Sequence, residues 1–526
     1  MGSFRSKIYS VLYKVVWFFY QPFKSLSVAR TICVSFGLAI FGGGVLLFLS
    51  DYEKLSFVNA LYISFSAFCV TGLTPVDLST LSFISQFLIM IYIQLGGLGI
   101  IVFTVLIGLM VIQGLSRNTK LKEFVAEVLD TNIRESKEVT PYESSSPDIW
   151  RVIISIFNIT VSLELLGALF LYIFLPNDLP FSVSRGFLSF FLSISAFNNA
   201  GFSITNDLGF LTKNTYCLYT ISALIILGGI GYPVMIFIEK SLLELLYKVV
   251  SKLEVLGETY LMRQAIKGEE PSKMYFMFTK LSLWTEYRIE SYNKSLLGES
   301  NKVQTNIIIY GTVALLFLGT SFVMALEFGN PETLGALNFS EKLANSVLMS
   351  ASSRTAGFNT FPVGKILDPT VILICCLMFI GGGPQGTAGG IKITTFAILV
   401  KYLGNVISSS SNVAIFGNTI SKRSVAMSIR LYFLATSTLA AVIFVLTVLH
   451  RDQGRIPQII FEVISAFGTV GFSLGITPVL GDAEKLIYCL LMYIGRIGIF
   501  TVLIAMTGNP VTSPIGQDDG VKIQVG

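Results

Sequence analysis

The chain has 526 residues, of which 53% are apolar and 13% charged, with a formal net charge of +5. Soluble domains carry about 25% charged residues, so this surface cannot all face water, and the fold class read from it is all-α integral membrane. A single histidine, His450, argues against metal and acid–base enzymes that lean on imidazole, and six cysteines without C-x-x-C spacing exclude a zinc or disulfide framework.

Residues 1–30 carry Arg5, Lys7, Lys14, Lys24 and Arg30 and no acid, a basic stretch too long for a cleaved signal. They are read as a cytoplasmic N-terminus that stays on the chain. Apolar runs of about 20 residues, enough to cross a bilayer, follow at about 31–50, 81–110, 152–175, 215–238, 305–326, 370–400, 431–449 and 486–508. They predict eight transmembrane helices. The loop from Lys401 to Arg430 is also basic without an acid, which puts both termini in the cytoplasm. The positive charge sets orientation in this way and calls for no nucleic acid.

The four external stretches, after spans one, three, five and seven, open on polar residues and continue as apolar segments of roughly 12 to 15 residues, too short to span. They are read as re-entrant pore helices, because irregular backbone at membrane depth is tolerated only where it is buried in protein or lines a watery cavity. Each ends in a similar phrase: SAFCVTGLT at 66–74, SAFNNAGFS at 195–203, ASSRTAGFN at 351–359 and SAFGTVGFS at 465–473. One glycine holds the same place in all four: Gly72, Gly201, Gly357 and Gly471. A second phrase begins at Gly96, Gly228, Gly381 and Gly495, at the same distance in three copies and slightly later in the second.

The unit is therefore span, pore helix, glycine turn, span, in four tandem repeats at 31–116, 151–240, 305–402 and 429–509. Cytoplasmic linkers 117–150, 241–304 and 403–428 join them, and 510–526 form a cytoplasmic C-terminus. An even number of crossings separates the copies, so they run in one direction and can close as a pseudo-fourfold pore. Glycine takes φ > 0 without a Cβ clash, so neighbouring carbonyls can turn inward and replace the water shell of a cation. A lone glycine in a membrane helix more often marks close packing. Four at one register, each after a segment that cannot span, point to a pore, while the second-phrase glycines suit helix packing.

With CVTGLTPVD, NNAGFS, SSRTAGFNT, GTVGFS and GGGPQGTAGGIK (381–392), the chain from about 30 to 509 resembles the Trk/Ktr/HKT superfamily of potassium transporters, nearest to the bacterial Trk and Ktr membrane subunits. The resemblance implies potassium uptake across the cell membrane by a homodimer. It also implies a cytosolic ring of regulatory subunits that bind a nucleotide, ATP/ADP or NAD, with no cofactor covalently held by this chain. K⁺ is expected at Gly72, Gly201, Gly357 and Gly471, with the backbone carbonyls of Val70, Thr71, Asn199, Ala200, Thr355, Ala356, Thr469 and Val470. Plant members that favour sodium tend to carry serine at the first filter position, and Gly72 here favours potassium.

The glycines of 381–390, with Pro384, cannot hold an ordinary helix and must interrupt the sixth span. Gly381, Gly383 and Gly386 match GxGxxG, but no strand–turn–helix unit surrounds them, and Ile391 before Lys392 excludes a phosphate loop. In the family the matching segment is a flexible loop that gates permeation beneath the filter. Here it comprises Gly381, Gly382, Gly383, Pro384, Gln385, Gly386, Thr387, Ala388, Gly389 and Gly390, with Gly383 and Gln385 departing from the usual serine and glycine. Arg496 stands in the eighth span at the register of Gly97, Gly229 and Gly382. A mid-membrane charge faces a cavity or a partner, and Glu164 of the third span is one such partner. The matching family arginine protrudes into the pore, so Arg496 is read as an electrostatic barrier and part of the gate.

Glu164, taken as the other buried charge, is expected as a structural hydrogen-bond partner. Asp51, Glu53, Asp77, Asp207, Glu327, Glu332 and Asp368 fall outside the membrane, as solvated loop residues able to gather cations at the mouth. The stretch 239–304 carries a helical pattern (SLLELLYKVVSKLEVL) suited to amphipathic helices on membrane lipid or a partner. The rival reading is a sodium-permeable or poorly selective cation transporter. An intramembrane transferase is more remote, since Glu164 falls in a different repeat from His450 and Arg496 and no catalytic cluster is visible.

Overall fold

The structure is a computed structural model and describes residues 28–98, 146–177, 183–205, 208–267, 279–286, 289, 299–408, 412–449, 454–507 and 520–525. Asp207, His450, residues 1–27 and most of the 117–150 linker lie outside the described residues.

Four helical groups follow one another. The first holds α1 (Val28–Ser50), α2 (Phe57–Phe68) and α3 (Phe83–Gly97); the second α4 (Ser146–Phe174), α5 (Arg185–Phe197), α6 (Thr215–Gly229) and α7 (Tyr232–Lys267). The third holds α8 (Glu299–Glu327), α9 (Phe339–Ser352), α10 (Asp368–Phe379) and α11 (Ile393–Ile407). After a hairpin of β1 (Ala414–Ile415) and β2 (Asn418–Thr419), the fourth holds α12 (Lys422–Leu449), α13 (Ile456–Gly468), α14 (Asp482–Ile497) and α15 (Ile499–Thr507).

Among the described residues, α1, α4, α8 and α12 are each long and apolar enough to cross a membrane. Their outer faces are apolar and bare, with Phe317 70% and Phe433 72% exposed. Water would not tolerate such faces on a monomer, whereas lipid does. This is a multi-pass membrane protein.

The short helices α2, α5, α9 and α13 lie inside this wall, with Tyr62, Phe191 and Phe461 fully buried. Each has a local reason to start where it does. Ser56 and Ser184 accept from the amides of Asn59 (3.2 Å) and Phe187 (3.3 Å), Asn338 and Glu341 form a capping box, and Pro457 occupies the first turn of α13. Such caps stabilise a helix start by about 1 kcal/mol.

In the second, third and fourth groups the second apolar run is not one straight helix, whereas the sequence predicts a break only in the third, at 381–390. In the first group α3 ends at Gly97 with Leu98 as its cap, and residues 99–145 lie outside the described ones. α6 bends by 109° into α7 at Gly231 (φ 88°), α10 gives way to a loop, and α14 breaks at Gly498 (φ 91°). The glycine pairs lie against the ends of the short helices. A Cβ on Gly96 would come 3.0 Å from Phe68 Cα, and one on Gly495 3.3 Å from Phe467 Cα, each still closer to that residue's carbonyl oxygen.

Within the groups α1 packs on α2, α4 on α5, α8 on α9 and α12 on α13. Between them, α3 leans on α5, α6 on α9, α10 on α13, and α14 on α2. The last group thus returns to the first.

Two of the acids expected to be solvated are instead buried fasteners. Asp51, at the end of α1, accepts from the Ser82 amide (2.9 Å) and hydroxyl (2.8 Å) at the start of α3. Burial alone would raise its carboxyl, but the Ser85 and Ser82 hydrogen bonds and the Lys54 ammonium outweigh it and hold it below the ordinary aspartate value. Glu327, fully buried at the end of α8, accepts from Thr370 (2.5 Å), Thr333 (2.7 Å), Asn330 (2.7 Å) and the Leu367 amide (2.9 Å), so it ties α8 to the start of α10.

Candidate ion-conduction site

Each short helix runs directly into a turn of one backbone pattern. Val70, Asn199, Thr355 and Thr469 have φ of 57°, 57°, 85° and 51°, and two residues on Gly72, Gly201, Gly357 and Gly471 have 93°, 68°, 71° and 96°. Alternation of left-handed and ordinary backbone turns successive carbonyls to one side. Left-handed φ is strained at the β-branched Val70, Thr355 and Thr469, at about 1–3 kcal/mol each, and persists only where surroundings enforce it.

Here the helix ends enforce it. The amides of Thr71, Ala200, Ala356 and Val470 donate back to the carbonyls of Ser66, Ser195, Ser352 and Ser465 at 2.7, 2.8, 2.8 and 2.8 Å. The Ser66 and Ser465 hydroxyls accept from the amides of Gly72 (3.0 Å) and Gly471 (3.1 Å). Ser195 instead donates to the Phe202 carbonyl (2.8 Å), and the third turn, with Ala351 at that place, uses a second bond to the Ser352 carbonyl (3.1 Å). Sequence reasoning overlooked these serines, although the shared S-A-F of three phrases carries them.

The four turns touch in a closed ring. A Cβ built on Gly72 would lie 3.2 Å from Gly201 Cα; on Gly201, 3.1 Å from Gly357 Cα; on Gly357, 3.1 Å from Gly471 Cα; and on Gly471, 3.2 Å from Gly72 Cα. The nearest atom in every case is a carbonyl oxygen, of Ala200, Ala356, Val470 and Thr71 in turn. All twelve residues expected at the filter are therefore brought together. Among the described residues, no N–H or O–H donates to any of their twelve carbonyls.

The 381–390 segment is a folded loop pinned from several sides. Its neck is closed by Gly381 N donating to Ile391 O (2.8 Å) and Ile393 N to Gly382 O (3.0 Å). Gly383 N donates to Gly229 O (2.8 Å) and Tyr232 N to Gln385 O (3.3 Å), which bind the loop to the bend between α6 and α7. Gln385 and Gly390 take φ of 58° and 64°. The departure at Gly383 has a steric reason, since a Cβ there would lie 2.9 Å from the Ile230 carbonyl carbon. Thr387 donates to the Phe197 carbonyl (3.4 Å), Lys392 to the Ala388 carbonyl (2.6 Å), and a Cβ on Gly389 would meet Thr469.

Arg496 donates to the carbonyls of Thr387, inside the loop, and Gly96. It does not pair with Glu164, which accepts from Asn198 Nδ2 at 2.8 Å. Glu164 is not the only other buried charge. Arg354, within the third phrase, is 8% exposed and donates to the Gly381 carbonyl (3.3 Å); Glu462 in α13 is fully buried and accepts from Ser473 (2.6 Å) and Thr477. Both were missed because each lies inside a segment read only for its glycine or its apolar length.

A family described as TrkH, cation transport protein, matches residues 10–256 and 301–510. The chain belongs to that family. It is thus a transporter and not an enzyme, which sets the transferase reading aside. This TrkH-family chain is 33% identical over 482 residues to the Ktr system potassium uptake protein B of Bacillus subtilis, covering 90% of this chain and 91% of that protein. It is 31% identical to the potassium/sodium uptake protein NtpJ of Enterococcus hirae over 92% of this chain and 93% of that one. The crystal structure of the potassium transporter TrkH from Vibrio parahaemolyticus shares the fold, with a TM-score of 0.60 at 15% identity over 91% of this chain and 85% of that one.

Proposed function

We propose that this transporter takes up potassium across the cell membrane through a pseudo-fourfold pore, with the four glycine turns as its selectivity filter. The observation that carries the reading is the closed ring of turns whose twelve carbonyls receive no hydrogen bond among the described residues. Carbonyls so placed replace the hydration shell of a monovalent cation. The C-terminal ends of α2, α5, α9 and α13 lead into the ring, and their partial negative charge favours a cation there. The names of the Bacillus and Enterococcus relatives support potassium, and the second of them keeps sodium permeation as the alternative.

The 381–390 loop is the gate in this reading, with Arg496 as its electrostatic latch. Opening requires the loop to give up Thr387–Arg496 and the bonds to Gly229 and Phe197. The proposal extends to a homodimer with cytoplasmic termini, seated on a cytosolic nucleotide-binding ring. The long α7 supports a lipid or partner surface, since Leu242, Leu245 and Val249 are exposed along it.

The test is rubidium and sodium flux into liposomes holding the protein with 381–390 shortened, so that a closed gate cannot mask conduction. Rubidium flux that sodium barely competes with is the expected result. Equal sodium flux would leave the unselective reading, and no flux of either ion through folded protein would overturn the pore.

A further inference from the structure

Between the second and third groups, behind the ring, lies a small cavity, with ≈ 20 Å³ open to the centre of a water-sized sphere, whose wall includes Asn199, Ile226, Thr312, Leu316, Arg354 and Gly382. Most of this wall is apolar. Two polar atoms in it stand out: Arg354 Nε and Thr312 Oγ1 are buried without a hydrogen-bond partner, in residues only 8% and 6% exposed. Among the described residues the guanidinium makes one bond, from Nη2 to the Gly381 carbonyl (3.3 Å), and no carboxylate pairs with it.

A buried cation without a counter-charge is costly at membrane depth, and this one also stands three residues before Gly357 of the ring. The places equivalent to Arg354 in the other turns hold Cys69, Asn198 and Gly468, all uncharged. A bare positive charge on one quarter of a cation path would repel the ion being conducted. Arginine offers only donors, a threonine hydroxyl can add another, and apart from the Asn199 amide, which is hydrogen-bonded to Thr355 (3.2 Å), the remaining side chains of the wall are apolar. That set suits a small, singly charged, spherical anion, and has too few donors for a phosphate or a carboxylate.

We propose that this cavity is a halide site, holding chloride against Arg354 and Thr312, and that the anion neutralises Arg354 beside the filter. The site rests on the cavity alone; only its effect on flux rests on the conduction reading. The test is anomalous diffraction from crystals of the intact protein grown with bromide, alongside rubidium uptake into liposomes in chloride or in gluconate. A bromide peak between Arg354 and Thr312 is expected, absent from Arg354→Gln and weaker in Thr312→Val. Wild-type uptake should fall by about fivefold or more in gluconate, the scale of restoring a poorly screened charge, and Arg354→Gln should be indifferent to the exchange.

No bromide peak in the wild type, or one that persists in Arg354→Gln, overturns the site. A peak with halide-independent uptake overturns the neutralising role. If Arg354→Gln does not fold, Thr312→Val, which removes one uncharged donor, carries the comparison. A peak in protein that conducts no ion supports the site while the conduction reading falls.

Discussion

Gly357 shows what one backbone position contributes. Its φ of 71° is left-handed, and any Cβ would run into the Val470 carbonyl of the neighbouring turn. Alanine there costs about 1–2 kcal/mol in backbone conformation before the collision is counted, and the collision displaces a carbonyl of the ring. Gly357→Ala is expected to lower rubidium uptake more than tenfold, on the order of that 1–2 kcal/mol plus the clash. Gly417 is the control: its φ is 79° too, but nothing lies within 4 Å of its absent side chain. Gly417→Ala should leave uptake within about twofold, its cost being backbone strain alone. Equal loss in both variants would mean that strain, not position in the ring, decides. The four glycines were legible because a fourfold recurrence at one register stands out against apolar background. Arg354 and Glu462 were not, since a single charge inside a repeated phrase has no period of its own.

The helices show a similar division. The short lengths of α2, α5, α9 and α13 follow from start signals, polar caps in the first three and Pro457 in the last, set close to the glycine phrase, so their place could be read directly. The break at 381–390 could be read from its glycines and Pro384, but those at Gly231 and Gly498 could not, because hydropathy runs on through them while the backbone turns there. Nor does sequence separate a solvated acid from a buried fastener when both sit at the end of an apolar run. Asp51 and Glu327 were misjudged for that reason. Glu327→Ala strands four donors and should cost about 2–4 kcal/mol, seen as a fall of several degrees in the melting temperature in detergent. An unchanged melting temperature would count against the fastening role. Asp51 adds a pH signature. Its carboxyl lies below its unfolded value, so its stabilisation is present above about pH 4 and is lost as the pH falls through the folded value. The stability gap between wild type and Asp51→Asn should be open at neutral pH and close on acidification; a gap constant with pH would show that ionisation is irrelevant.

Across the whole molecule, closure depends on contacts between groups far apart in the chain. α14 of the fourth group leans on α2 of the first, and Arg496 reaches from the fourth to Thr387 of the third and Gly96 of the first. One side chain thereby ties three quarters of the assembly through carbonyls. Arg496→Gln removes a fixed positive charge and two of those ties, and uptake is expected to rise several-fold in liposomes while selectivity for rubidium over sodium is retained. A variant with unaltered uptake would remove Arg496 from the proposed gate.

Arg354 has a consequence for how such a molecule can diversify. In an assembly of four identical subunits every side chain is installed in quadruplicate, and four buried guanidiniums around one axis would be prohibitive. In the pseudo-fourfold reading proposed above, a single polypeptide supplies each quarter separately, so the symmetry rule is relaxed one position at a time. An asymmetric residue can then be tried in one quarter while three unaltered copies keep the common geometry.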